Sequence, residues 1–254
     1  MFRYIAMTSA LLAALTASAQ FIHQATTEAG RRVQAVIDAE DRSPLDRETD
    51  RIRLPVQTLE FFGLEPDMKV IEFFPAAGYY TELLAAALAG QGELHLLGFG
   101  SNAAAEYRER GFDNVYAFPE ESFVFTPGAQ PGKFVVERFD IDIDDADMFL
   151  TFRNTHNIAD ESRVTFHKGV FDSLRSGGIY GVIDHTRRHN MPDSAEIWRR
   201  VDPVQLIKEV TSVGFHFVDY SSLHYRPDDE LIYDTTRPSI DRYSDRFTLK
   251  FRKP

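Results

Sequence analysis

Residues 70–84, Val-Ile-Glu-Phe-Phe-Pro-Ala-Ala-Gly-Tyr-Tyr-Thr-Glu-Leu-Leu, constrain the fold more than any other part of the chain. An apolar run ends on Glu72, a Pro and small residues follow, and a helical pattern resumes at Thr81. That order describes a buried strand, a tight turn and a helix N-terminus. In open α/β sheets a nucleotide-like ligand lies against such a turn, because the backbone can approach it closely and the helix offers unpaired N–H groups.

The remaining pattern agrees. Strands are predicted over 69–73, 93–97, 114–118, 148–152, 179–183, 215–220 and 247–251. Helices are predicted over 26–41, 55–62, 81–89, 103–110, 162–174 and 203–213, with Pro55, Pro203, Gly63 and Gly214 as punctuation. Alternating strands and helices imply a mostly parallel, Rossmann-like α/β sheet with helices on both faces and an antiparallel strand at the C-terminal edge. Residues 119–147 read as irregular around Pro127–Gly132, and Ser176-Gly177-Gly178 reads as a helix stop. The charged segment 45–53 reads either as a solvated helix face with local ion pairs or as a lid over the pocket.

Residues 1–19 stand apart. Arg3, an apolar run from Ile5 to Leu15 and Ala17-Ser18-Ala19 have the layout of a cleaved signal peptide, so an exported, periplasmic protein is expected. The run is too short for a comfortable membrane span. An N-terminal helical segment, 20–54, and one domain, 55–254, would follow. Loss of Arg3 takes the net charge from −11 to −12, which disfavours nucleic acid and anionic membrane as partners. With no cysteine, disulfides, thiolate metal sites and a cysteine nucleophile are excluded. The acidic cluster at Asp140, Asp142, Asp144, Asp145 and Asp147 lacks the spacing and distal Glu of a calcium loop, so no metal is expected. No nucleophile elbow, phosphate-binding loop or zinc-protease motif occurs.

The order of motifs resembles the class I S-adenosylmethionine-dependent methyltransferases, and more closely a bacterial, often signal-peptide-bearing subgroup of predicted methyltransferases. It runs from about Asp46 to the C-terminus. It is carried by Glu72 with Pro75-Ala76-Ala77-Gly78-Tyr79-Tyr80-Thr81, by Phe152-Arg153-Asn154-Thr155-His156-Asn157, and by Ser176-Gly177-Gly178. Val182-Ile183-Asp184-His185, Arg200-Val201-Asp202-Pro203, Val213-Gly214-Phe215 and residues 245–251 complete it.

The resemblance implies S-adenosylmethionine as cofactor and a small-molecule methyl acceptor as substrate. The cofactor would lie against Glu72, Pro75, Ala76, Ala77, Gly78, Tyr79, Gly98, Phe99 and Asn154. His156, Asp184 and His185 would face the acceptor, with His156 a candidate base. Arg187, Arg188 and His189 would offer a small basic patch to an anionic substrate or form a solvated loop.

Three positions depart from the pattern. Ala76 and Ala77 stand where glycines are usual, Leu96–Gly100 supplies no carboxylate for a ribose, and Arg199 stands where a His is frequent. The competing expectation is a non-catalytic binding or scaffold module that retains the fold.

Overall fold

The computed structural model describes residues 24–98 and 100–254. The signal-peptide expectation for residues 1–19, and Phe99, lie outside the described residues. Three helices come first: α1 (Glu28–Ile37), α2 (Pro44–Arg53) and α3 (Pro55–Phe62). Then follow β1 (Lys69–Phe73), α4 (Tyr79–Leu88), β2 (Glu93–Leu97), α5 (Ser101–Glu109), β3 (Val115–Ala117), β4 (Phe123–Pro127) and β5 (Phe134–Phe139). The chain ends with β6 (Ala146–Phe152), α6 (Asp160–Ser173), β7 (Leu174–His185), α7 (Pro203–Ser212), β8 (His216–Ser221) and β9 (Arg246–Arg252).

Seven strands form one sheet in the order β3-β2-β1-β6-β7-β9-β8. The first five are mutually parallel, and β9 runs antiparallel to both neighbours. The antiparallel strand expected at the C-terminal edge is therefore β9, one place in from the outermost strand β8. Strand order reverses between β1 and β6. The C-terminal ends of these two strands, with the loops that leave them, flank the switch point at which such sheets bind ligands.

The apolar patterning explains the layers. Ala29 and Val33 of α1, Leu59 and Phe62 of α3, and Leu83, Leu84 and Leu88 of α4 close one face of the sheet. Phe166 and Val170 of α6 with Leu206 and Val210 of α7 close the other. Helix starts follow their caps: the Thr27 hydroxyl accepts from Gly30 N–H, Ser43 from Asp46 N–H, and Asp202 from Val204 N–H. Among the described residues no helix is long and apolar enough to cross a membrane.

Three expectations are corrected. Residues 119–147 are not irregular: β4 and β5 pair as an antiparallel hairpin whose tip holds the Pro/Gly-rich stretch. Phe123, Phe134 and Val136 hold it down by entering the core. Ser176-Gly177-Gly178 does not separate helix from strand either. It lies within β7, where the register against β6 shifts between the Ala146 and Met148 pairings, and Gly177 is left-handed at φ 81°. The predicted helix 26–41 is shorter, ending with Ile37 and its C-cap Asp38.

Candidate active site

The switch point is built on a turn with an unusual backbone. Phe74, Ala76 and Gly78 all have positive φ, at 50°, 51° and 78°. Left-handed backbone is easy for glycine and costs other residues about 1–2 kcal/mol. Ala76, standing where a glycine is usual, nonetheless adopts this conformation, and Phe74 does so as well. Ala77 is not among the left-handed residues. Asn154, just past β6, donates through Nδ2 to the carbonyls of Phe73 (3.0 Å) and Phe74 (3.2 Å), so it pins this turn to the neighbouring strand end.

Gly78 caps α4 without any side-chain hydrogen bond, which leaves N–H groups of the first helical turn unclaimed by a cap. Its carbonyl accepts from the Tyr107 hydroxyl at 3.0 Å, and a Cβ at this position would lie 2.8 Å from the same oxygen. Glu72 is buried at the end of β1 and accepts from the Thr81 hydroxyl at 2.6 Å. Burial pushes its carboxyl up to about 7, against the pull of that bond and of Arg53.

A cavity of about 510 Å³ opens on Ala77, Gly78 and Tyr79, walled by α2 and by the starts of α4 and β9. Helix α2 contributes Leu45, Asp46, Thr49, Ile52 and Arg53 to this wall, while Asp50 and Glu48 of the same segment pair with Arg42 and Arg242. Pro75 is buried under the turn, whereas Ala76 and Ala77 are exposed. Gly98 (φ 78°) does not line the cavity. The Phe74 ring lies on it so closely that a Cβ there would come 2.0 Å from a ring carbon. Phe74 in turn packs against Phe123, Phe125 and Phe134, which ties the hairpin to the turn.

His156, Asp184 and His185 come together, all buried, with potential ligand atoms within 4.8 Å of one another. Asp184 Oδ2 accepts the His156 backbone N–H at 2.9 Å. Its Oδ1 accepts His156 Nδ1–H at 2.7 Å and the His185 backbone N–H at 2.7 Å. His156 Nε2 has no partner among the described residues, so the tautomer set by Asp184 leaves that nitrogen free to take a proton. His185 Nδ1 is bonded to Ser244 Oγ at 2.8 Å, and burial with nearby His156, Arg246 and Arg153 holds it well below the usual histidine range. Two His and one Asp also make a metal-like set. Here, however, the carboxylate already accepts three N–H bonds and arginines face the group, an environment hostile to a cation.

The trio does not line the cavity. The cavity is lined instead by arginines, among them Arg53, Arg153 and Arg246, which were not expected at the site. Arg153 follows β6 at a left-handed φ of 63°, its N–H donating to Ile183 at 2.7 Å. Arg246 opens β9 directly across from His185. Arg53 ends α2 with its guanidinium 4.3 Å from the Tyr79 ring centroid. Burial and the neighbouring guanidiniums lower Arg153 to about 10 and Arg246 to about 9. Their only signal in the sequence was adjacency: Arg153 precedes Asn154, and Arg246 lies in the C-terminal motif.

Other candidates disperse. Arg187 pairs with Asp193 (3.2 Å), Arg188 reaches the Glu230 carbonyl and His189 bonds Asp202 (2.9 Å), so the expected basic patch is divided among partners. Arg199 pairs with Asp234 at 2.7 Å and lies over Trp198, whose ring is 6.2 Å from His156. In the acidic stretch Asp145 pairs with Lys69, while Asp147 holds Lys69 N–H and Arg175.

No protein-family model matches the chain. No curated protein matches it either. Solved structures do. A SAM dependent methyltransferase from Aquifex aeolicus superposes with a TM-score of 0.53 at 12% identity, over 87% of this chain and 97% of the other. A Burkholderia thailandensis 1,6-didemethyltoxoflavin-N1-methyltransferase, solved with 1,6-didemethyltoxoflavin and S-adenosylhomocysteine, gives 0.55 at 13% identity over 89% and 86%. The [4+2]-cyclase SpnF gives 0.56 at 14% identity over 91% and 98%. At such identities the likeness is one of fold, and it agrees with the strand order derived above. The chain has the Rossmann-like α/β fold of the S-adenosylmethionine-dependent methyltransferases.

Proposed function

We propose that the protein is a methyltransferase that uses S-adenosylmethionine and acts on a small-molecule nucleophile. The fold alone does not decide this, since the same architecture includes a [4+2]-cyclase. The observation that carries the reading is local. At the switch point, a left-handed turn and an uncapped helix N-terminus open together on one cavity.

The fit of the cofactor follows from that turn. The backbone at Ala77 and Gly78 and the free N–H groups of α4 suit a carboxylate, and Gly78 keeps the approach open. Bound there, S-adenosylmethionine supplies an electrophilic methyl group on a sulfonium. The chain contributes position: Asn154 fixes the turn, Thr81 fixes Glu72, and the α2 wall shields the cavity from water. Holding two reactants in line accounts for most of the acceleration such a transfer needs. His156 does not line the cavity, so for a hydroxyl or amine acceptor its Nε2 would receive the released proton through a bridging water, with Asp184 holding Nδ1–H and stabilising the imidazolium.

The test is calorimetric titration of the full chain with S-adenosylmethionine and S-adenosylhomocysteine. Micromolar binding that disappears in Gly78→Trp supports the reading. No heat and no thermal shift at millimolar ligand would refute it and leave a binding module on a methyltransferase fold.

A further inference from the structure

Five arginines line the cavity, and two of them are neutralised: Arg110 by Glu82 and Arg242 by Glu48. Arg53, Arg153 and Arg246 are not. Among the described residues none of the three has a carboxylate within ion-pair distance. Arg246 is buried, spends one Nη on the Arg242 carbonyl at 2.7 Å and leaves its Nε without a partner. Among the described residues Arg153 makes no side-chain hydrogen bond, and Arg53 lies over the Tyr79 and Tyr80 rings. The carboxylates that share the cavity wall lie elsewhere. Asp46 accepts from Ser43 in its helix cap, Glu82 is held by Arg42 and Arg110, and Glu106 stands on α5.

Glu72 acts on Arg53 and Asp184 on Arg153 only through space, and a cluster of three cations without an ion-paired carboxylate is costly to hold together. It is the more unusual in a chain of net charge −11. The energetics become reasonable when an anion completes the site. The methyl donor is a poor candidate for that role. Its sulfonium and ammonium outweigh its single carboxylate, so it enters with one net positive charge and adds to the repulsion.

We propose that Arg53, Arg153 and Arg246 form a subsite for an oxyanion, a carboxylate or phosphate, carried by the methyl acceptor. This rests on the methyltransferase reading for the identity of the molecule, though the anion site itself is defined by the arginines. Guanidiniums bind such groups bidentately, which would fix the acceptor's orientation as well as its charge. The acceptor class is thereby narrowed to anionic small molecules bearing a hydroxyl, amine or similar nucleophile.

The experiment titrates inorganic phosphate and malonate, at low ionic strength, into the full chain and into Arg53→Gln and Arg153→Gln. S-adenosylhomocysteine is titrated into all three with and without phosphate. Saturable anion binding that weakens roughly tenfold or more in each variant is expected. S-adenosylhomocysteine affinity should stay within about threefold and resist competition by phosphate. Without ligand, Arg153→Gln should melt no lower than the parent, because it relieves repulsion; a merely structural arginine would lower the melting temperature. Should Arg153→Gln not fold, the proposal is overturned for Arg153 and Arg53→Gln decides the remainder.

Absent anion binding, or binding indifferent to both substitutions, overturns the proposal. So does S-adenosylhomocysteine affinity that falls in step with anion affinity, which would assign the arginines to the cofactor's carboxylate. Arginine-dependent phosphate binding without any S-adenosylhomocysteine binding would uphold the anion subsite and defeat the methyl-transfer reading alone.

Discussion

Asp184 grips His156 twice, taking the imidazole Nδ1–H on one oxygen at 2.7 Å and the backbone N–H on the other at 2.9 Å. Ring and backbone are thus oriented by a single buried carboxylate at the end of β7. Asp184→Asn keeps the shape but offers only one acceptor oxygen and an unwanted donor. Loss of stability of about 1–3 kcal/mol is expected, read by urea unfolding. If His156 is the base, turnover should fall roughly 10²–10⁴-fold. S-adenosylhomocysteine binding, in contrast, should hardly change. A variant with full turnover would remove His156 from the chemistry.

The Glu72 carboxyl makes stability pH-dependent in a defined direction. Its folded-state pKa, about 7, lies above the ordinary 4.5. The folded protein therefore binds more protons than the unfolded chain across that window. The contribution is fully present below about pH 4.5 and is lost as pH rises through 7. The loss amounts to about 3 kcal/mol at most. Glu72→Gln should flatten this part of the stability profile, measured by urea unfolding between pH 4 and 8. An unchanged slope would mean that Glu72 titrates normally.

Ala76 and Ala77 are both exposed but differ in backbone, so the same substitution should act oppositely on them. Ala76→Gly releases left-handed strain and is expected to stabilise by up to about 1 kcal/mol. Ala77→Gly releases none and should cost about 0.5–1 kcal/mol in added unfolded-state freedom. Equal effects in thermal melts would contradict the turn geometry.

The contact of Phe74 with Gly98 predicts a strong coupling. Gly98→Ala places a methyl 2.0 Å from the ring and on a φ of 78°, so destabilisation of about 2–4 kcal/mol is expected. In a Phe74→Ala background, itself destabilised by lost aromatic packing, most of the steric part should vanish. A double-mutant cycle measures it. Additive losses would place the ring elsewhere.

The elements legible from the sequence are those specified locally. The strand at 69–73, the helix from Pro55 to Gly63, and α7 between Asp202 and Gly214 follow from apolar period and punctuation within a few residues. The β4–β5 hairpin was hidden because the Pro/Gly content of its tip resembles a loop, whereas its strands exist through pairing with each other and burial of Phe123 and Phe134.

The chain pattern alone determined that an α/β sheet would form and that its first strand would run through a tight turn into a helix. Only the tertiary structure decided what surrounds that turn. Arg53, Arg153 and Arg246 are each unremarkable where they stand, and about a hundred residues separate each from the next. They meet because β1 and β6 are neighbours and β9 inserts beside β7. The closeness of Phe74 to Gly98 and of Asp184 to His156 has the same origin. Local propensity carries no information about such distances; the packing of the sheet does.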